Sequence, residues 1–290
     1  MKEITKIKEM KTVVKELKSK GKTIGFVPTL GYLHEGHLSL VRSSVQRTDT
    51  TVVSIFVNPT QFGPKEDFKD YPRDIKKDIK ILKREGVDYL FLPDTEEMYP
   101  QGYKTYAEVQ DLEEKLCGLY RPGHFKGVCT VVLKLFNIVN PDSAFFGQKD
   151  AQQAIILKKM VEDLNLEVKI EVLPLVRDED GLALSSRNEY LNSEERQAAL
   201  ALPRSLQEAK KMIKEGERRA AVIIEKMKEI IGKEPLAKID YVEIVDLDEL
   251  DPVEEIEKEA LVALAVFVGK TRLIDNMIIE IHRTGMDIKE

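Results

Sequence analysis

The sequence predicts an α/β fold, a parallel sheet with helices on both faces, followed by a smaller C-terminal α+β domain with an antiparallel sheet. Three observations predict it. Short apolar, β-branched runs alternate with segments of helical period as far as residue 176, the signature of consecutive βαβ units. The clusters "PTLGYLHEGH", "NPTQFG", "FGQKD" and "VRDEDGLALSSRN" each follow a strand, which places them at the carboxyl edge of a parallel sheet, where such folds bind ligands. Beyond residue 187 two helical segments precede three apolar runs, the last two joined by a tight turn at Gly269 and Lys270. A Rossmann-like domain over residues 1–182 and an α+β domain over residues 183–290 are therefore expected.

The elements follow in order. Residues 1–20 carry Ile4, Ile7, Met10, Val13, Val14 and Leu17 at helical spacing among charges, which predicts one amphipathic helix rather than a targeting segment. Residues 23–27, between a turn glycine and Pro28, form a buried strand, and the next helix opens at "HEGH" and ends near Thr48. "TTVVSIFVNP" is a β-branched strand stopped by Asn58 and Pro59. Over residues 73–85, Ile75, Ile79 and Leu82 share a helix face, and Gly86 ends the helix before the strand "VDYLFLP". Residues 94–123 are rich in turn formers and are expected to be irregular with short elements. "FKGVCTVVLKLFNIVN" returns to helix, "SAFFG" to strand, residues 150–165 to helix and "VKIEVLPLV" to strand. "SEERQAALALPRSLQEAKKMI" opens with a serine N-cap and acids in its first turn, and a second helix spans residues 220–231. "IDYVEIV", "ALVALAVFVG" and "TRLIDNMIIEI" are the three late strands, and the acidic residues 246–259 are expected to be solvated surface.

Composition excludes several classes of function. The 290 residues are 42% apolar and 33% charged, as in globular proteins, and a net charge of −6 argues against a basic face that coats nucleic acid. Cys117 and Cys129 lie too far apart for a CxxC unit and cannot build a disulfide framework, so a reducing cytoplasm is expected. The longest apolar run, "LVALAVFVG", is too short to span a bilayer.

His34 and His37, half of the four histidines, stand three apart around Gly36 directly after a strand. They can be helix-start residues without chemical consequence. They can be metal ligands, since residues three apart share a helix face, although zincin sites need the four-residue spacing of HExxH. They can also handle phosphate: a helix N-terminus offers unpaired N–H groups and the positive end of its dipole, and imidazole N–H groups add donors. No GKS or GKT follows a glycine-rich loop, so Walker-type γ-phosphate transfer is not expected.

"HEGH" resembles the HxGH motif of the nucleotidylyltransferase superfamily, whose members attack the α-phosphorus of a nucleotide. With "PTLGYLHEGHLSLV", "VSIFVNPTQFGPKEDFKDYPR", "RPGHFKGVCTVV", "FFGQKDAQQ" and "DGLALSSRNEYL", the chain resembles the pantoate–β-alanine ligase family over nearly its whole length. The resemblance implies an ATP-dependent condensation of (R)-pantoate with β-alanine through a pantoyl adenylate, releasing AMP and pyrophosphate. It also implies a cytoplasmic homodimer acting on small molecules, with no nucleic-acid or membrane partner, whose C-terminal domain closes over the site. Mg²⁺ would be held mainly by the ATP phosphates, with no protein metal ligand.

Residue roles follow from the same resemblance. His37, His34 and Lys149 would be catalytic, with His37 the proton donor. ATP would meet Leu30, Gly31, Tyr32, Leu33, His34, Glu35, Gly36 and His37 in the first cluster, and Gly147, Gln148, Lys149 and Asp150 in the third. Val176, through its backbone, and Leu184, Ser185, Ser186 and Arg187 would complete the ATP site. Pantoate would meet Gln61 and Gln153, and β-alanine Gln61. Taken alone, Lys149 reads rather as a solvated lysine at a helix start and Gln153 as an exposed helix residue, while Asp150 reads equally as a helix cap and "LSSRN" equally as an N-cap serine with a surface arginine. Asn58 and Arg121 are weaker candidates, and "RPGHF" can instead organise a loop around His124. Leu30 and Leu184 stand where the family usually has methionine, Gln148 where it has glutamate, and Ala151 where an aromatic is common. A nucleotidyltransferase of the same superfamily and a non-catalytic nucleotide-binding module remain alternatives, though the transferase role leaves the second domain and the two glutamines unexplained.

Overall fold

The computed structural model describes residues 1–64, 66–282 and 285–289. Along the chain run β1 (Lys2–Ile4), α1 (Ile7–Ser19), β2 (Ile24–Thr29), α2 (Glu35–Arg47), β3 (Thr50–Ile55), α3 (Ile75–Arg84), β4 (Tyr89–Phe91), α4 (Thr95–Met98), α5 (Cys117–Tyr120), α6 (His124–Val139), β5 (Ser143–Gly147), α7 (Ala151–Asp163) and β6 (Lys169–Leu173). There follow α8 (Ser193–Ala199), α9 (Ala201–Lys214), α10 (Ala220–Ile231), β7 (Ala237–Val245), β8 (Glu259–Val268), β9 (Thr271–His282) and β10 (Gly285–Lys289). Two compact units result. The first is Met1–Glu113, Arg121–Gly147 and Gln153–Leu173; the second is Glu114–Tyr120, Gln148–Gln152 and Pro174–Glu290.

The first unit holds a six-stranded sheet in the order β1-β4-β3-β2-β5-β6, parallel throughout. Every residue of β3 is buried, as a parallel strand covered on both faces requires, so its sequence reads as a continuous β-branched run. Val27, Val53, Leu90 and Phe145 from four strands pack with Leu40 and Val41 of α2 and Leu82 of α3. β2 pairs with β3 on one side and β5 on the other, so chain order reverses beside β2, the place where parallel α/β sheets bind ligands. The loop carrying His34 and His37 leaves β2 at that point.

The second unit is an antiparallel sheet in the order β10-β9-β8-β7 with α9 and α10 packed on it. β8 is buried along almost its whole length, and Val262, Leu264 and Val266 meet Leu206, Ile213, Ile223 and Met227.

Three expectations are corrected. Residues 2–4 are not the start of a helix but β1, paired with β4 from Lys2↔Tyr89 to Ile4↔Phe91; three residues are too few for periodicity to separate strand from helix. The helix expected over residues 193–213 is two helices interrupted at Leu200, with Pro203 in the first turn of α9, where its missing N–H costs no intrahelical bond. A fourth late strand, β10, extends the C-terminal sheet. As expected, most of residues 246–259 are exposed, although Leu250 and Ile256 are buried and the Asp246 carboxylate accepts from the N–H groups of Asp248, Glu249, Leu250 and Asp251.

Candidate active site

The loop from β2 into α2 takes an unusual path. Gly31 and Tyr32 both adopt left-handed backbone, φ +87 and +52, a conformation unfavourable for tyrosine by about 1–2 kcal/mol. Asp78 of α3 offsets it. Its side chain is fully buried, Oδ2 accepts the Tyr32 N–H at 2.8 Å and Oδ1 the Leu33 N–H at 2.9 Å. Burial pushes the Asp78 carboxyl above its ordinary value, and the Leu33 and Tyr32 N–H groups pull the other way.

So anchored, the loop delivers His34 as the N-cap of α2, in extended conformation. The His34 N–H donates to Nδ1 of His37 at 3.3 Å, and the rings lie 4.1 Å apart. Because Nδ1 of His37 accepts, a neutral ring carries its proton on Nε2. The Glu35 carboxylate pairs with Arg42, and the Leu33 side chain lies in the core.

Gln61 ends a 3₁₀ turn, Pro59–Gln61, beyond β3. Its placement depends on Asn58, which is fully buried. Oδ1 of Asn58 accepts from the Tyr99 hydroxyl and the Thr60 hydroxyl, both at 2.9 Å, which turns its NH₂ toward Gln61 Oε1 and the Gly127 carbonyl, both at 3.0 Å. Burial pushes the Tyr99 phenol up to about 12, so it remains a donor at neutral pH. Gly127 lets α6 touch this turn, since a Cβ there would meet the Thr60 carbonyl oxygen at 2.3 Å. His124 completes the clamp. A guanidinium can only donate, so Nε2 of His124 accepts from Arg121 at 3.1 Å and Nδ1–H donates to the Gln61 carbonyl at 2.8 Å. "RPGHF" thus organises the Gln61 loop, and Arg121 is itself held by Glu66.

The remaining candidates fall as follows. Gly147 ends β5 beside β2, and Gln153, half-buried on α7, belongs to the same unit. In the second unit Lys149 is half-buried with its ammonium 3.6 Å from the Asp150 carboxylate. The Val176 carbonyl accepts the Leu184 N–H at 3.0 Å, Ser185 Oγ caps the turn by accepting the Arg187 N–H, and Ser186 is buried. Among the described residues, a metal-type grouping occurs at Glu280, His282 and Asp287 on the β9–β10 hairpin, where Lys289 already pairs with Glu280; His34 and His37 are not part of it.

A family model described as Pantoate-beta-alanine ligase matches residues 2–278. The chain belongs to that family. Pantothenate synthetases of Caldicellulosiruptor saccharolyticus and Fervidobacterium nodosum are 57% identical over 278 residues and 59% identical over 279, each match covering 96% of this chain and 99% of the relative. The solved pantothenate synthetase of Thermus thermophilus superposes with a TM-score of 0.91 at 41% identity, covering 95% of this chain and 98% of that one. The pantoate–β-alanine ligase of Francisella tularensis, solved as a complex with beta-gamma ATP and β-alanine, superposes with a TM-score of 0.79 at 35% identity, covering 95% and 97%. The protein is a ligase that forms pantothenate from pantoate and β-alanine.

In this ligase Asp78 is the feature that sequence reading missed. The signal was there: Asp78 shares the apolar face of α3 with Ile75, Ile79 and Leu82, where an acid needs buried partners. Asp78→Asn keeps the volume but accepts at only one of the two atoms. It is expected to lose about 1–3 kcal/mol of stability and at least about tenfold in kcat through displacement of the loop. Thermal unfolding and steady-state kinetics check both; an unchanged kcat beside a lowered Tm would confine Asp78 to stability.

Proposed function

We propose that this ligase activates the pantoate carboxylate with ATP, forming a pantoyl adenylate and pyrophosphate, and that the β-alanine amine then displaces AMP. A carboxylate is inert toward an amine until one oxygen becomes part of a leaving group. The observation that carries this reading is the His34–His37 pair, capping a 13-residue helix at the point where strand order reverses, with an Nε2–H donor on His37. An anion there meets the helix N-terminus and imidazole donors together.

The first step gathers charge on the α-phosphorus and on departing pyrophosphate. His34 and His37 would donate to phosphate oxygens, with His37 the proton donor, and Lys149 would stabilise the same charge as a compact cation. Mg²⁺ would come with the phosphates of ATP. Residues 30–37, Gly147, Gln148, Asp150, Val176 and Leu184 to Arg187 are proposed ATP contacts on the family resemblance. The Francisella complex supports ATP and β-alanine as ligands.

Pantoate presents a carboxylate and two hydroxyls. Gln61, whose Oε1 is occupied by Asn58, would offer Nε2–H donors to it and later to β-alanine, with Gln153 a second partner. Gln61→Ala is expected to raise the KM for pantoate about tenfold or more, the loss of a hydrogen bond to a charged group, with kcat less affected; unchanged pantoate kinetics would remove Gln61 from the site. The reaction itself is tested with ¹⁸O-carboxylate pantoate, since an adenylate leaves one label in AMP. Its absence there would refute the mechanism. Among the described residues no helix is long and apolar enough to cross a membrane, and Cys117 and Cys129 are free and buried, which supports a cytoplasmic enzyme. The homodimer implied by the family is tested by sedimentation.

A further inference from the structure

Two polar residues stand side by side in β9, a strand otherwise carrying Leu273, Ile274, Met277, Ile278 and Ile279 in its middle. Neighbours in a strand face opposite ways, yet both are buried, Asp275 at 1% and Asn276 at 3% exposure. Such burial is unfavourable unless the groups are bonded. Asn276 Nδ2 donates to the carbonyls of Gln148 at 3.1 Å and Lys149 at 2.9 Å, and its Oδ1 accepts from Gln148 Nε2 at 3.4 Å. Asp275 accepts from both terminal nitrogens of Arg177, at 2.7 and 3.1 Å, and Arg177 donates in turn to the Gly181 carbonyl at 3.1 Å. β9 also packs directly against the Gln148–Asp150 and Ser186–Tyr190 turns.

We propose that Asn276 and Asp275 are positioning residues for the adenylation step: Asn276 fixes Lys149, and Asp275 braces through Arg177 the turn that leads to Ser185, Ser186 and Arg187. The carbonyls of Gln148 and Lys149 belong to the two planar peptides that flank the Lys149 Cα. Pinning both fixes its φ and ψ, and with them the direction in which its side chain leaves the backbone. A primary amide suits this task because one NH₂ spans successive carbonyls while its oxygen accepts. The Gln148 departure fits as well: its Nε2 also donates to the Lys289 carbonyl at 2.9 Å, and a glutamate there would have no donor.

The proposal rests on the reading of Lys149 as the cation that meets the phosphates, so the test is a double-mutant cycle on the full-length enzyme. Asn276→Ala is expected to lower kcat about 10- to 100-fold, with the KM for pantoate within about twofold. On a Lys149→Ala background the same substitution is expected to change kcat by less than about twofold, because the group it places is gone. Equal losses in both backgrounds would assign Asn276 to general upkeep of the fold and overturn the proposal. A Lys149→Ala enzyme with normal kcat would instead refute the reading of Lys149. Should Asn276→Ala yield no folded protein, Asn276→Ser, which keeps a donor with shorter reach, enters the same cycle; failure of both to fold counts against a positioning role.

Discussion

His37→Ala is expected to lower kcat by about three orders of magnitude, within the span of general acid catalysis, while the KM for ATP changes only a few-fold. On the proposed mechanism His37 Nε2–H would be the donor, because Nδ1 accepts the His34 N–H, and a donor to departing pyrophosphate is worth most when charge has developed. Single-turnover release of pyrophosphate, measured with pantoate and no β-alanine, isolates that step. Equal losses in ATP binding and release would show ground-state contact alone. The alanine also leaves the His34 N–H without its acceptor, which costs about 1 kcal/mol. His37→Asn separates the effects: a side-chain carbonyl can take that N–H and restore Tm, but should leave pyrophosphate release slow.

Lys149→Ala is expected to cost about 100- to 1000-fold in kcat, the range found when one preorganised donor to transition-state charge is removed. Lysine at a helix start is disfavoured by the dipole, and here its ammonium faces the exposed Asp150 carboxylate at 3.6 Å, a pair of little worth to stability. Its value is therefore expected in turnover rather than in Tm. Lys149→Arg keeps the charge but replaces a compact ammonium by a longer planar fork, and little recovery is expected. Pyrophosphate release and thermal unfolding give both readouts, and an alanine variant retaining half the wild-type rate would exclude Lys149 from the chemistry.

The fold was legible where burial dictates composition. β3 reads as a strand because both its faces are covered, and α3 as a helix because Ile75, Ile79 and Leu82 share a side. β1 was hidden because Ile4 satisfies a helical and a strand period equally. The histidine pair was legible because a helix start needs N–H partners that apolar residues lack. What holds the pair was not, for Asp78 acts from 45 residues away in sequence, through backbone N–H groups that carry no side-chain code. Asn276 was concealed similarly: in a strand, one of two adjacent polar residues is expected to face water, and neither does.

Each unit contains stretches that lie, in chain order, within the other. Residues 114–120 and 148–152 are translated between segments of the first unit but belong to the second. A ribosome therefore completes β5 and α7 long before Asn276 emerges to hold Gln148 and Lys149. Neither unit is therefore a contiguous stretch of chain, and no single cut separates the two.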